Sequence, residues 1–154
     1  MKSLGLGETS GFRDKYVQLA RTIDLFMGLS PDQLVKIMSL GVTEAATKGT
    51  VIFKKGLTSR KMYVILEGQV DIMDGDKLIA TLGKGEMFGE MGLLSGEPRN
   101  ATAVARESSS FFILTEQSLH RLFTKRVAIV LLMNIVRKLS DRLRQADEFV
   151  GFKQ

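Results

Sequence analysis

Apolar and polar residues follow a helical period over the first forty residues of the chain. Residues 1–11 are predicted to be a loose, flexible tail, and the spacing then predicts a helix over residues 12–27. Ser30 is the predicted N-cap of a second helix, with Pro31 at its first position. Gln33 completes a capping-box pattern. Two N-terminal helices are therefore expected within residues 12–41, the second ending at Gly41.

From residue 43 to residue 115 the period changes to that of strands. About eight short apolar or alternating runs are separated by turn residues. One hairpin is marked by Asp74-Gly75, and Leu78, Ala80 and Leu82 alternate on its return strand. The pattern favours a closed antiparallel barrel or jelly roll over a parallel sheet.

Helical spacing returns over residues 116–150. Thr115 is expected to cap a helix that runs to about Thr124, and a long helix follows over residues 127–150. Its apolar residues alternate steps of four and three, as in a coiled coil: Leu132, Val136, Leu139, Leu143, Ala146 and Val150. This seam either pairs with a second chain or packs back on the barrel.

Composition limits the class of protein. The 154 residues, 44% of them apolar, suit one domain with a real core, here residues 12–154. There is no cysteine and hence no disulfide framework. The N-terminus does not resemble a signal peptide, and the longest apolar run, residues 127–133, is too short to span a membrane. We therefore expect a cytoplasmic protein with no membrane span.

Much of the net charge of +5 lies late in the chain. Between His120 and Gln154 there are eight Lys or Arg residues against three acidic ones. A basic helix of this kind meets nucleic acid or an acidic surface, or is simply a solvated face.

The segment at residues 88–103, FGEMGLLSGEPRNATA, carries the candidate chemistry. Gly89 lets the backbone approach a ligand, and the helical turn that Glu90 begins offers unpaired N–H groups to an anion. The planar fork of Arg99 suits two phosphate oxygens, whereas Glu90 only accepts and so suits a sugar hydroxyl. Together they describe a site for a sugar phosphate with one negative charge. The alternative is a Glu90–Arg99 ion pair that staples the loop.

The same segment resembles the phosphate-binding cassette of cyclic nucleotide-binding domains. That pattern runs Phe-Gly-Glu, apolar residues, Pro-Arg, two small residues and Thr, and Phe88-Gly89-Glu90, Leu93-Leu94, Pro98-Arg99 and Ala101-Thr102 match it. The resemblance extends through residues 62–68 and 83–87 and covers about residues 20–145. The chain is identified as a stand-alone member of the cAMP receptor protein-like sensor domain family.

The resemblance implies an eight-stranded antiparallel jelly-roll barrel, mainly β, with helices at both ends. It also implies that Glu90 accepts from the ribose 2′-hydroxyl and that Arg99 holds the exocyclic phosphate oxygens. The N–H groups of Gly89, Glu90 and Ala101 would complete the cradle, with Met91 beside them. Candidates for apolar walls, each equally suited to the plain core, are Val64, Leu66, Met87, Phe88 and Ala103. Arg142, Arg144 and Gln145 are candidates for a lid over the base.

One position departs from the family pattern and bears on the base. Asn100 stands where similar domains that prefer cAMP usually carry alanine and those that prefer cGMP often carry threonine or serine. An amide can bond guanine or the phosphate. The resemblance favours cAMP and leaves cGMP open.

The leading hypothesis is a cyclic-nucleotide sensor, not an enzyme, that signals by movement of its C-terminal helix. It is expected to need no cofactor or metal, since His120 is the only histidine and the sequence shows no Ser-His-Asp arrangement around it. The expected partners are a cyclic nucleotide, an unidentified effector protein and a second copy through the C-terminal helix. Two alternatives remain. One is a ligand-free interaction module with the same fold. The other is the sensor part of a DNA-binding regulator, which would need a helix-turn-helix that residues 1–154 are not expected to contain.

Overall fold

Two antiparallel sheets form the centre of the molecule in a computed structural model, which describes residues 2–3, 14, 17–18, 21–122 and 126–150. The strands are β1 (Lys2–Ser3), β2 (Val42–Ala46), β3 (Val51–Phe53), β4 (Lys61–Glu67), β5 (Val70–Asp74), β6 (Lys77–Leu82), β7 (Met87–Phe88), β8 (Thr102–Ala105) and β9 (Ser109–Thr115). One sheet has the order β1-β2-β9-β4-β7 and the other β3-β8-β5-β6. Strands β2 to β9 confirm the predicted eight-stranded jelly roll.

Strand β1 departs from the prediction of a loose tail. Lys2 pairs with Ala45 and Ser3 with Glu44, so these two residues add a short strand beside β2. Without them β2 would present an open row of backbone groups at the sheet edge. The other residues of the predicted tail lie outside the described part of the chain.

The helices are α1 (Pro31–Leu40), α2 (Glu90–Ser95), α3 (Glu116–Leu122) and α4 (Arg126–Val150). The predicted capping box begins α1, because the N–H of Ser30 donates to Gln33 Oε1 at 2.9 Å and the N–H of Gln33 donates to Ser30 Oγ at 3.2 Å. At the start of α3, Thr115 Oγ1 accepts from the N–H of Ser118 at 3.1 Å, as expected for a cap. The last residues predicted for this helix lie outside the described part.

The first predicted helix ends earlier than its apolar spacing indicates. Asp14, Val17, Gln18 and Arg21 are helical, and the other residues between 12 and 20 lie outside the described part. A 3-10 turn at Asp24–Phe26 replaces the expected last helical turn, so the predicted end at Met27 is wrong. The turn buries Leu25 and Phe26 in the core.

The core has two compartments, separated by the five-stranded sheet. Strand β4 alternates between them: Met62, Val64 and Leu66 pack against the helices, while Tyr63 and Ile65 point into the barrel. Both faces of β4 are therefore buried, and each such apolar side chain contributes roughly 1.5–3 kcal/mol to folding.

The first half of α4 is fixed to this core. Ala128, Leu131 and Ile135 are buried among the helix-side residues. Buried Asn134 donates from Nδ2 to the carbonyl oxygens of Leu25 at 2.7 Å and Met27 at 2.9 Å. Residues 143–148 are exposed, so the second half of α4 has few contacts with the rest of the molecule. No helix in the described ranges is both long enough and apolar enough to cross a membrane.

Candidate functional site

A cavity of about 310 Å³ lies between the four-stranded sheet, the segment that follows β7, and α4. Its apolar floor follows one row across the sheet, because Phe53 pairs with Ala103, Ala103 with Ile72, and Ile72 with Ala80. The described residues that line the cavity are Phe53, Ile72, Ala80, Leu82, Phe88, Gly89, Glu90, Met91, Gly92, Glu97, Pro98, Arg99, Asn100, Ala101 and Arg142. Its volume suits a small organic ligand.

Two glycines shape the segment that carries the polar groups. Gly89 has a φ of +77° at the start of α2, a conformation that side chains other than glycine's rarely adopt, and no side chain caps the helix there. A Cβ on Gly92 would lie 2.6 Å from Arg99 Nη1 and 2.6 Å from the carbonyl oxygen of Ser59. A Cβ on Gly89 would lie 2.8 Å from Arg99 Nη1, so both glycines make room for the Arg99 guanidinium.

The Arg99 guanidinium is buried among neutral groups. The residue is 5% exposed, Nη1 donates to the Gly89 carbonyl at 2.7 Å, and Nη2 donates to the Lys61 carbonyl at 2.6 Å. The Phe53 ring centroid lies 4.2 Å from its Cζ. Its Nε is buried and has no hydrogen-bond acceptor among the described residues.

No carboxylate in the described ranges lies within 4.0 Å of the Arg99 nitrogens. The alternative of a Glu90–Arg99 staple is therefore wrong. Burial lowers the pKa of Arg99 below its usual value, and the charges of Tyr63 and Glu90 partly oppose that effect. Buried charges in proteins are normally paired, so this cation is suited to receive an anion.

Glu90 is paired instead with α4. Only 6% exposed, it accepts through Oε1 from Arg142 Nη1 at 2.6 Å. Arg142 also donates from Nη2 to the Met87 carbonyl. A carboxylate has four lone-pair sites, so this pairing leaves Glu90 able to accept a further hydrogen bond. The second half of α4 is thus attached to the cassette by one side chain.

The structure brings Phe88, Met91, Asn100 and Ala101 to the same cavity as Gly89, Glu90 and Arg99. Phe88 stacks on Tyr63 with ring centroids 5.0 Å apart, which fixes its orientation. Asn100 is exposed at the cavity. In the described part of the chain, no group of three or more His, Cys, Asp or Glu residues is placed to hold a metal ion.

Several predicted site residues lie elsewhere. Val64, Leu66 and Met87 pack against the helices and do not line the cavity. Ala103 lies in the floor row between Phe53 and Ile72, but it is fully buried and does not itself line the cavity. Of the three lid candidates only Arg142 reaches the cavity. Gln145 is exposed, and Arg144 is exposed and pairs with Asp141 at 2.5 Å. Arg144, two residues after Arg142, points to another side of the helix. Gln145, three residues after Arg142, shares its helix face but does not line the cavity.

The structure also adds cavity residues that sequence reasoning did not identify as part of the site: Phe53, Ile72, Ala80, Leu82, Gly92, Glu97 and Pro98. A signal existed for three of them. Ile72, Ala80 and Leu82 belong to alternating strands, and residues that alternate on paired strands share one face. Phe53 has no comparable pattern, since β3 has only three residues.

Comparisons with known proteins agree with this geometry. The sequence profile named "Cyclic nucleotide-binding domain" matches residues 43–126, more than half of the chain. A cyclic AMP receptor protein from Thermus thermophilus is 32% identical over 128 residues, which are 80% of this chain and 58% of that protein. A cyclic nucleotide-gated potassium channel from Rhizobium etli is 36% identical over 97 residues, 63% of this chain and 27% of the channel.

The fold has a close match among solved structures. A cyclic nucleotide-binding domain from Methylobacillus flagellatus superposes with a TM-score of 0.80 and 23% identity, over 99% of this chain and 89% of that one. The chain thus spans little more than half of the receptor protein and about a quarter of the channel, whereas it covers nearly all of the isolated domain.

Proposed function

The chain belongs to the cyclic nucleotide-binding domain family, and we propose that it is a non-enzymatic sensor that binds cAMP in the barrel cavity. The family is a regulatory sensor domain. The observation that carries the proposal is buried Arg99, a residue 5% exposed whose Nε has no acceptor among the described residues. A cyclic phosphate diester brings one negative charge and the oxygen acceptors that this group lacks.

In the proposed complex each polar group of the cassette has one task. Arg99 binds the exocyclic phosphate oxygens through the guanidinium edge that bears Nε, and the uncapped N–H groups of α2 face the same charge. Glu90 accepts from the ribose hydroxyl with the lone pairs that Arg142 leaves unused. The row of Phe53, Ile72 and Ala80 packs against the ligand from the sheet side.

The contact between Glu90 and Arg142 provides the path to α4. Glu90 holds the second half of this helix through Arg142, so a ligand that binds Glu90 changes the hydrogen bonds of that same carboxylate. A ligand shifts such an equilibrium only by its different affinities for the two helix positions. We propose that binding repositions residues after Leu139, while Asn134 keeps the first half in place.

The base preference proposed is cAMP. It is supported by the 32% identity to a protein named cyclic AMP receptor protein. Asn100, exposed at the cavity, has an amide that both donates and accepts, so cGMP is the second candidate.

Signalling through assembly is proposed for the outer face of α4. Two of the six predicted seam residues, Leu132 and Leu139, are explained inside one chain, because they are partly buried against the core. The apolar side chains of Ile129, Met133, Val136 and Leu143 are at least half exposed, and the side chain of Val150 lies outside the described part. We expect this stripe to pair with a second copy. Light scattering with and without cAMP tests it, and a monomer in both conditions contradicts it.

A thermal-shift panel tests the proposed function. The purified chain is heated with cAMP, cGMP, AMP or adenosine at matched concentrations. A ligand at a hundred times its dissociation constant stabilises the fold by about 2.7 kcal/mol. We expect a clear rise in Tm with cAMP and smaller rises with AMP, which carries additional negative charge, and adenosine, which carries none. No rise with any cyclic nucleotide contradicts the proposal and favours a ligand-free interaction module.

A further inference from the structure

Phe53 lies between the ligand cavity and an aromatic cluster. Its ring faces the Arg99 guanidinium, with 4.2 Å between Cζ and the ring centroid, and it also lines the cavity. Behind it, the rings of Tyr63 and Phe88 have centroids 5.8 Å away in each case. Phe53 is therefore itself held in place by packed rings.

Three neighbouring groups together fix the orientation of the Arg99 guanidinium. The Gly89 and Lys61 carbonyls accept from Nη1 and Nη2, while the Phe53 ring lies against the group. The ring attracts the cation through its quadrupole and excludes water from it. Nε is the nitrogen that these contacts leave without an acceptor.

We propose that Phe53 is a positioning residue for ligand binding, which holds the Arg99 guanidinium so that its Nε edge stays available to the phosphate. This inference rests on the proposed function of the cavity. It concerns a residue on β3, far in sequence from the cassette, and it assigns to the ring a role beyond packing.

Phe53→Leu tests the role of the ring, and Phe111→Leu is the matched control. Phe111 belongs to the same aromatic cluster and is fully buried, but it does not line the cavity. Loss of one cation–π contact is expected to weaken cAMP binding by roughly 2- to 25-fold in Phe53→Leu, measured by calorimetry. Phe111→Leu is expected to lower Tm while leaving the affinity within about twofold of wild type.

A double-mutant cycle separates action through Arg99 from direct contact with the ligand. Lysine keeps the charge but not the planar group, so Arg99→Lys removes what the ring positions. In that background, Phe53→Leu is expected to have little further effect on the cAMP dissociation constant. The same loss in both backgrounds shows direct packing on the ligand and overturns the proposal.

Further outcomes distinguish this inference from the proposed function. A wild-type chain that binds no cyclic nucleotide overturns both. A wild-type chain that binds, with Phe53→Leu equal to Phe111→Leu, overturns only the role of Phe53. If the leucine variant does not fold, Phe53→Met gives the same comparison, since methionine fills irregular gaps in cores. Phe53→Tyr keeps the ring and is expected to retain binding; its loss of binding contradicts the proposal.

Discussion

Replacing Arg99 by methionine should separate stability from ligand binding. Methionine fills much of the same space, but it carries neither charge nor hydrogen-bond donors. In the free protein the guanidinium serves two backbone carbonyls and one ring, and it pairs with no carboxylate among the described residues. If the cassette is a cradle for an anion, Arg99→Met should remove the function of the chain and leave its fold intact.

The expected magnitudes follow from these contacts. The variant loses two charge-assisted hydrogen bonds, each contributing about 1.5–3 kcal/mol, and a cation–π contact of about 1 kcal/mol. It also removes the desolvation cost of a buried cation, about several kcal/mol. Because these contributions nearly cancel, we expect the free energy of unfolding to change by less than about 2 kcal/mol. Affinity for cAMP should fall by about 2–5 kcal/mol, or roughly thirtyfold to several thousandfold.

Urea denaturation measures the first quantity and calorimetric titration the second. Arg106→Met is the control, because Arg106 is half exposed and pairs with Asp71 at 3.3 Å, outside the cavity. This control is expected to change stability by less than about 1 kcal/mol and to bind as wild type does. If Arg99→Met unfolds most of the protein and the remaining folded fraction binds cAMP as tightly as wild type, Arg99 serves stability rather than binding, which contradicts the proposal.

Three further predictions concern the cassette and its surroundings. The contact between buried Glu90 and Arg142 should give a coupling energy of about 1–3 kcal/mol in a double-mutant cycle of Glu90→Gln and Arg142→Gln, measured by denaturant titration of the free chain. A coupling energy of zero would contradict this. Gly92→Ala should lower the free energy of unfolding by about 1–3 kcal/mol through overpacking, although alanine is favoured over glycine in a helix by about 1 kcal/mol. The control Leu94→Ala, at an exposed position of the same helix, should lower it by less than about 1 kcal/mol in the same denaturant assay. Burial raises the pKa of Tyr63 above 10.0, so the folded chain keeps that proton to higher pH than the unfolded chain. This contribution to stability is complete below pH 10.0 and is lost as pH rises through the folded pKa, so Tyr63→Phe should lose less stability than wild type between about pH 8 and about pH 11; equal losses refute it.

Local chemistry explains which parts of the fold the sequence predicts well. The capping box at Ser30 and Gln33 needs only residues three apart, and it starts α1 as expected. The Asp74-Gly75 turn likewise joins β5 to β6 in the predicted hairpin. The cassette between residues 88 and 103 has both its motif and its strand–helix context within one short segment.

The residues that line the walls of the cavity could not be predicted without knowing that the core has two compartments. Strand β4 is apolar at five consecutive positions, and both its faces are buried. No alternation therefore shows which side chains face the ligand, and Val64 and Leu66 prove to lie on the helix side. On β5 and β6 the apolar residues Val70 and Ile72, and Leu78, Ala80 and Leu82, alternate along the strands, so Ile72 and Ala80 were within reach of pattern reasoning.

Which residue of α4 covers the cavity depends on how this helix is rotated against the barrel. The family resemblance gave three candidates within four residues, and the rotation of the helix decides among them. Arg142 follows buried Ile135 by seven residues and so lies on the same helix face. Its partner Glu90 is 52 residues away, and no local pattern connects the two.

The central claim is that the cavity behind Arg99 binds a cyclic nucleotide, and calorimetric titration of the wild-type chain with cAMP tests it most directly. The account predicts saturable binding of one cAMP per chain and much weaker binding of adenosine, which lacks the phosphate that Arg99 is proposed to hold. Absence of saturable binding by cAMP, or equal affinity for adenosine, would contradict it.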